Sequence, residues 1–187
     1  MEQPVELVVL VDDEGTPIGS HPKATVHTTD TPLHLAFSCH VRNAAGDVLV
    51  SRRSLAKRTW PGVWTNAFCG HPAPDEDMEE AVRRRARDEL GLELGPLAPI
   101  LPDFRYRAVD ADGIVEHEVC PVFEAVALGE PTPHPDEVSE VAWVAPAALR
   151  AAVAGAPFAF SPWLGWQLQE LEQAERDAER DLAVEPA

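Results

Sequence analysis

Cationic side chains are scarce in this chain: 15 Lys and Arg stand against 32 Asp and Glu, a formal charge of −17 at pH 7. Such a surface repels phosphate backbones and anionic lipid, which argues against nonspecific binding to nucleic acid or membranes. Long apolar runs are also missing, and a membrane-spanning helix needs roughly 20 apolar residues. The opening residues MEQPVELVVLVDDE show neither a basic stretch nor a small-residue cleavage site, so a cytoplasmic protein without a secretion signal is expected. Cysteine occurs only three times, an odd number that suits reduced thiols rather than a disulfide framework.

What is present suits a globular chain. The 187 residues are 45% hydrophobic and 25% charged, enough to bury a core. No internal repeat divides them, so one domain over residues 1–187 is expected, with its core at about 23–166. The few cations are not spread evenly: all but Arg150, Arg176 and Arg180 fall between Lys23 and Arg107. Such a concentration could serve a small anionic ligand, because Arg offers a planar fork to phosphate oxygens and Lys a point charge. Scattered solvated arginines are the alternative.

The periodicities predict strands at Val5–Val11, Leu33–Val41, Ile114–Val126 and Val138–Val144. The turn residues at 43–47 lead into Val48–Val50 and predict a hairpin. Glu76–Leu90 reads as a helix with acidic residues at its start and Gly91 as its stop. Residues 163–182 read as a surface helix with i,i+4 charge pairs such as Glu172 with Arg176. Strands with few helices suggest an α/β fold, a mixed sheet covered by helices.

From Gly70 the chain reads GHPAPDEDMEEAVRRRARDELGL. Gly70, Glu76, Arg84, Ala86, Glu89, Gly91 and Leu92 match the spacing of the Nudix box, whose loop and helix carry carboxylates for a divalent ion on a diphosphate. Two positions depart: Arg85 stands where that pattern has Glu, and Asp88 replaces the first Glu of its pair. Arg85 and Glu89 lie one helical turn apart, so a cation takes ground a hydrolase gives to a metal ligand. Diphosphate binding without cleavage is the expected consequence, and an ordinary salt-bridged amphipathic helix is the alternative.

Five further segments, HTTDTPLHLAFS, RRSLAKRTWPGVWTNAFCGHP, PDFRYRA, GIVEHEVCPVF and FSPW, give the chain from about Lys23 to Trp166 a resemblance to the type I isopentenyl-diphosphate isomerases of the Nudix superfamily. The resemblance implies a Nudix-type α/β/α sandwich and conversion of isopentenyl diphosphate to dimethylallyl diphosphate. The alkene of that substrate is unactivated. Moving it needs an acid to form a tertiary carbocation and a base to take a proton from the neighbouring carbon.

By resemblance Cys69 is a catalytic acid/base, and Glu118 with Tyr106 works from the other side of the five-carbon unit. Cys39 and Cys120 read instead as small buried hydrophobes. Glu116 and Glu118, two apart on a strand, share a face and need a cation between them. The resemblance puts one divalent metal (Mn, Zn or Mg) on His27, His34, His71, Glu116 and Glu118. It gives anion contacts to Lys23, Arg53, Lys57 and Arg85, and a Mg²⁺ on the substrate diphosphate to Glu89 and the Cys69 carbonyl. Trp163 is the aromatic wall expected to face the cation; Trp60, Trp64, Trp143 and Trp166 read as packing aromatics. The expected partner is a small prenyl diphosphate, bound by a monomer without nucleic acid or membrane. A Nudix diphosphohydrolase, a relative processing other prenyl diphosphates and a binding module without turnover stand as alternatives.

Overall fold

The computed structural model describes residues 5–184, and side chains to residue 181. In chain order the elements are β1 (Leu7–Val11), β2 (Pro17–Pro22), α1 (Lys23–Val26), β3 (His34–Leu35), β4 (Phe37–Arg42), β5 (Val48–Arg53), β6 (Trp64–Thr65), β7 (Phe68–Gly70), α2 (Met78–Leu90), β8 (Leu94–Leu101), β9 (Arg105–Val109), β10 (Val115–Val119), β11 (Val122–Ala127), β12 (Val138–Val144), α3 (Pro146–Gly155) and α4 (Pro162–Val184). None of these helices is long and apolar enough to cross a membrane.

The α/β class holds, with the strands divided between two mixed sheets. One runs β2-β1-β3-β10-β9; the other runs β12-β5-β4-β11-β8, with β6 on β5 and β7 on β4. Two segments expected as single strands break to make this division. The first is interrupted at Ala36, giving β3 and β4, and the second at Cys120-Pro121, giving β10 and β11. Proline has no N–H to donate to a ladder, so a break there is locally encoded. Both broken strands cross from sheet to sheet side by side and in parallel, β3 with β10 and β4 with β11. The Ala36 N–H donates to the Val119 carbonyl and the Ser38 N–H to the Pro121 carbonyl, which stitches the crossing.

Alternation along β5 shows the layers. Leu49 joins a core with Phe37, Phe68, Val82 and Leu90, and so faces α2. Its neighbours Val48 and Val50 point the other way, into a cluster with Leu149 and Val153 of α3 and Leu164 and Leu168 of α4. Helices therefore cover both faces of the larger sheet. The expected surface helix at the C-terminal end needs correction in its first turns: Trp163, Leu164 and Gln167 are buried because an apolar stripe precedes the charged part.

Local chemistry sets the ends of α2. Asp77 caps it by accepting from the backbone N–H groups of Glu79 and Glu80, which moves the start from Glu76 to Met78. Gly91 closes it in the left-handed region, at φ 57°. A Cβ there would lie 2.1 Å from Thr132 Oγ1, so both the backbone and the neighbouring loop demand glycine. Gly91→Ala should lose at least about 1 kcal/mol of stability, read as an earlier urea midpoint at unchanged slope. An unshifted midpoint would show that the loop at Thr132 yields freely.

Candidate active site

Because the two strand pairs cross between sheets together, the residues on either side of the crossing are fixed by backbone register. Glu118 of β10 sits opposite His34 of β3 and, on its other side, opposite Tyr106 of β9. One step along, Ser38 of β4 sits opposite Cys69 of β7. A cavity of about 680 Å³ opens over this junction. Lys23, His27, Arg53, Lys57, Cys69, His71, Arg85, Tyr106, Glu116, Glu118 and Trp163 line it, so the structure brings eleven residues singled out in the sequence to one place.

His27, at the end of α1, joins His34 and His71 so that the three imidazole centroids lie 5.1–5.8 Å apart. Potential ligand atoms of these histidines and Glu118 all lie within 4.8 Å of one another. Glu118 Oε1 is 3.2 Å from His71 Nε2 and 3.5 Å from His34 Nε2. The two imidazole Nε2 atoms face each other at 3.2 Å. Glu116 stands beside this group: its Oε1 accepts from the Thr59 hydroxyl at 2.6 Å, and Oε2 lies 3.3 Å from His27 Nε2.

Burial would raise the pKa of Glu118, but hydrogen bonds and charge from His34 and His71 outweigh it and hold the carboxyl well below its usual range. Burial is also the largest influence on His71 and leaves its pKa lowered. For His34 burial acts in the same direction, yet the Glu118 hydrogen bond and charge leave the pKa raised.

The donor set fits a divalent metal. Three nitrogens and an ionised carboxylate converge on one point, and His27 Nε2 is buried without a hydrogen bond. His34 Nδ1 lies 2.9 Å from the Pro32 carbonyl, to which it can only donate, and this leaves its Nε2 lone pair free to coordinate. His71 is steadied through its backbone, since Arg84 donates to its carbonyl at 3.3 Å while bound to Glu76 at 2.7 Å. The matched Glu76 and Arg84 of the box thus brace the loop that carries His71.

Cys69 holds a second wall. Burial pushes its thiol up to about 11, against hydrogen bonds from Ser38 and to Asn66 that pull it back. Tyr106 and Trp163 line the cavity with ring centroids 5.6 Å apart, and Trp163 is fixed through Nε1 by Thr65 Oγ1 and Asn66 Oδ1. Burial, then the charges of Glu118 and Glu116, raises the Tyr106 phenol well above its ordinary value, so it stays protonated. Among the described residues no hydrogen bond joins its hydroxyl to Glu118, whose Oε1 instead meets His71 Nε2 at 3.2 Å. Trp60 packs edge-on against Trp163 at 5.2 Å. Cys39 and Cys120 are fully buried.

The cations form the rim. Arg53 stacks its guanidinium 5.5 Å from the Trp163 ring centre. Lys23 pairs with Glu6 at 2.9 Å, Arg85 pairs with Glu137 at 2.8 Å, and Lys57 pairs with the same Glu137. Arg85 Nη2 also lies 2.8 Å from Glu89 Oε2, off the line a hydrogen bond requires, so that buried oxygen has no hydrogen-bond partner. Glu6 and Glu137 carry no local sequence signal: neither stands in a motif, and the cations each one holds come from elsewhere in the sequence. Asp88, the departure from the box, is exposed and takes no part in lining the cavity. Gly70 is required by proximity, as a Cβ there would come within 2.7 Å of Phe37 and 3.0 Å of the Arg85 stem.

Comparison with known proteins agrees with this geometry. The NUDIX domain family matches residues 32–164. The isopentenyl-diphosphate Delta-isomerase of Clavibacter michiganensis subsp. michiganensis is 66% identical over 168 residues, covering 90% of this chain and 87% of that protein. The enzyme of the same name from Clavibacter sepedonicus is 61% identical and covers 100% of both chains. Among solved structures, DR0079 from Deinococcus radiodurans superposes with a TM-score of 0.70 at 22% identity, over 89% of this chain and 99% of that one. The MutT protein from Methanosarcina mazei Go1 gives 0.60 at 20% identity, over 77% and 96%. At such low identity these two speak for the fold alone.

Two measurements follow. Purified protein should carry about one divalent ion per chain, lost when His27, His34 and His71 are jointly replaced by Ala; an unchanged metal content would refute the ligand set. The second concerns acid. Burial opposes ionisation of Glu137, but Arg85 and Lys57 win and lower its pKa from 4.5 to about 2. Its contribution to stability is therefore full above pH 4.5 and lost as pH falls towards 2. Glu137→Gln should be less stable than the parent at neutral pH, and the gap should close across that window in urea titrations. A gap independent of pH would show that the ion pairs contribute nothing.

Proposed function

The chain belongs to the isopentenyl-diphosphate Delta-isomerases of the NUDIX family, and from that premise we propose how its own residues convert isopentenyl diphosphate to dimethylallyl diphosphate. It is an enzyme of isoprenoid precursor synthesis. What carries the residue assignment is the shared cavity: a thiol, a histidine–carboxylate cluster and a cationic rim border one space of about 680 Å³.

In this reading Lys23, Arg53, Lys57 and Arg85 hold the diphosphate, and the five-carbon unit lies between Cys69 and Glu118. One of the two adds a proton to the terminal alkene carbon, and the other takes a proton from the carbon next to the cation so formed. Tyr106, which stays a neutral phenol, supports Glu118 as a hydrogen-bond donor once substrate is bound. The ring faces of Trp163 and Tyr106 stabilise the tertiary cation and keep water from trapping it as an alcohol.

A divalent ion (Mn, Zn or Mg) on His27, His34, His71, Glu116 and Glu118 would supply positive charge beside the buried carboxylates. Glu89 and the Cys69 carbonyl would hold a Mg²⁺ on the bound substrate, where it would neutralise charge on a diphosphate that stays attached throughout. The unpartnered Glu89 oxygen supports that second assignment. Residues 1–187 are taken as one domain, acting as a cytoplasmic monomer; three free thiols support the compartment.

Hydrolysis is disfavoured by Arg85. It sits buried between Glu89 and Glu137 where the hydrolase pattern has a carboxylate. Run in deuterated water, the reaction should place deuterium in the new methyl group of dimethylallyl diphosphate and release no phosphate. Phosphate release without carbon-bound deuterium would overturn the isomerase reading. Cys69→Ala should slow turnover by at least about a hundredfold, and activity within tenfold of the parent would remove Cys69 from the mechanism.

A further inference from the structure

Behind the cavity wall lies a set of polar side chains that the reaction as described leaves without a task. Ser38, Asn66 and Gln167 are fully buried and His40 nearly so. Polar groups taken out of water are costly unless each finds a partner, so their arrangement is informative.

These side chains form a line ending on the catalytic sulfur. His40 Nε2 lies 3.0 Å from Gln167 Oε1, Gln167 Nε2 lies 2.9 Å from Ser38 Oγ, and Ser38 Oγ lies 3.1 Å from Cys69 Sγ. Donor capacity sets the order as far as Ser38, and distance selects the sulfur beyond it. His40 donates to an amide oxygen, and burial lowers its pKa so that it is a neutral ring with this one N–H turned inward. The amide N–H₂ can only donate to Ser38. Ser38 must then send its own proton to a sulfur: Cys69 at 3.1 Å or Cys120 at 3.6 Å, and Cys69 is nearer. On the far side of the thiol, Asn66 is locked by donating to the Cys39 and Phe68 carbonyls, which turns its Oδ1 towards Cys69 Sγ at 3.4 Å. The thiol accepts on one side and donates on the other.

We propose that Ser38 is a positioning residue for the Cys69 thiol, with its hydroxyl proton held on the sulfur by a one-way chain from His40 through Gln167. When the S–H bond breaks to supply a proton, the electron pair stays on sulfur inside a buried pocket. A hydroxyl already donating to that atom stabilises the charge at the moment it forms and needs no rearrangement. The effect belongs to the transition state, so it acts on kcat and leaves KM alone. This inference rests on the proposed function, with Cys69 as the one of the two groups that adds the proton.

The test uses metal-loaded full-length protein with isopentenyl diphosphate as substrate. Ser38→Ala should lower kcat by about tenfold to a hundredfold, the range of one hydrogen bond to a charged atom, with KM changed less than about twofold. Gln167→Glu offers an acceptor in place of the donating amide, draws the Ser38 proton away from sulfur and should reproduce that loss. The double variant should be no more than about threefold worse than Ser38→Ala, because both changes act through one hydroxyl. A kcat within about threefold of the parent in either single variant, or losses that multiply in the double, overturns the proposal. Should Ser38→Ala fail to fold, Gln167→Glu decides alone. Cys69→Ala separates the levels: full activity there removes the Cys69 assignment and this inference together. An inactive Cys69→Ala beside a fully active Ser38→Ala removes only the inference.

Discussion

A carboxylate that must stay ionised in the interior is the constraint on which the rest of this molecule depends. Glu118 is 3% exposed, and a bare charge at that depth would be expensive. The fold answers by bringing His34 in from a parallel neighbour, His71 from the end of β7 and His27 from the end of α1. Those three come from segments with little in common except that the crossing between the two sheets aims them at one point. Removing any one would leave the others crowded without compensation, which is why a metal of fitting size suits the arrangement better than the apolar core around it.

The same crossing explains how much was readable in advance. The α2 helix was legible because its helix-forming run and its Gly91 stop are local, and β12 because Val138, Val141, Trp143 and Val144 make a β-branched and aromatic run. The break at Ala36 was not, since alternation continues through it and only sheet membership changes; at Cys120 the local mark was Pro121, set within an alternating run that reads as one strand. β2 and β8 escaped notice for another reason: each contains two prolines, which strands tolerate at a sheet edge, and both are edges here. α3 is a short Ala-rich stretch whose one clear signal, Pro146 in its first turn, also reads as a breaker. For the site, the family resemblance supplied the ligands, the thiol and the rim of cations. It missed Glu6, Glu137, Ser38 and Gln167. Nothing in their immediate sequence context marks them, and their partners lie up to 129 positions away.

Charge is organised by depth as well as by sequence. The outer face of α4 and the loops carry most of the acid, whereas Lys23, Arg53, Lys57, Arg58 and Arg85 line the cavity. An acidic exterior deters polyanions of large size, and the concave cationic patch remains accessible to a small one. Selectivity for a compact diphosphate over nucleic acid thus follows from where charges lie, without any contact that reads the ligand's carbon skeleton.

Glu6 and Glu137 give that patch a further property. Because Lys23, Lys57 and Arg85 already grip carboxylates of their own chain, a diphosphate bound there as proposed would displace internal anions instead of meeting bare cations. Association is then an anion exchange, in which the ligand gains only the difference between two sets of ion pairs. Fewer mobile counterions are released than the number of cations suggests, so affinity should respond weakly to added salt. Inorganic anions with one or two oxygens in reach cannot replace both carboxylates at once. The pocket is in this sense buffered against its solvent, and opens fully only to a ligand with enough charge to outbid the protein itself.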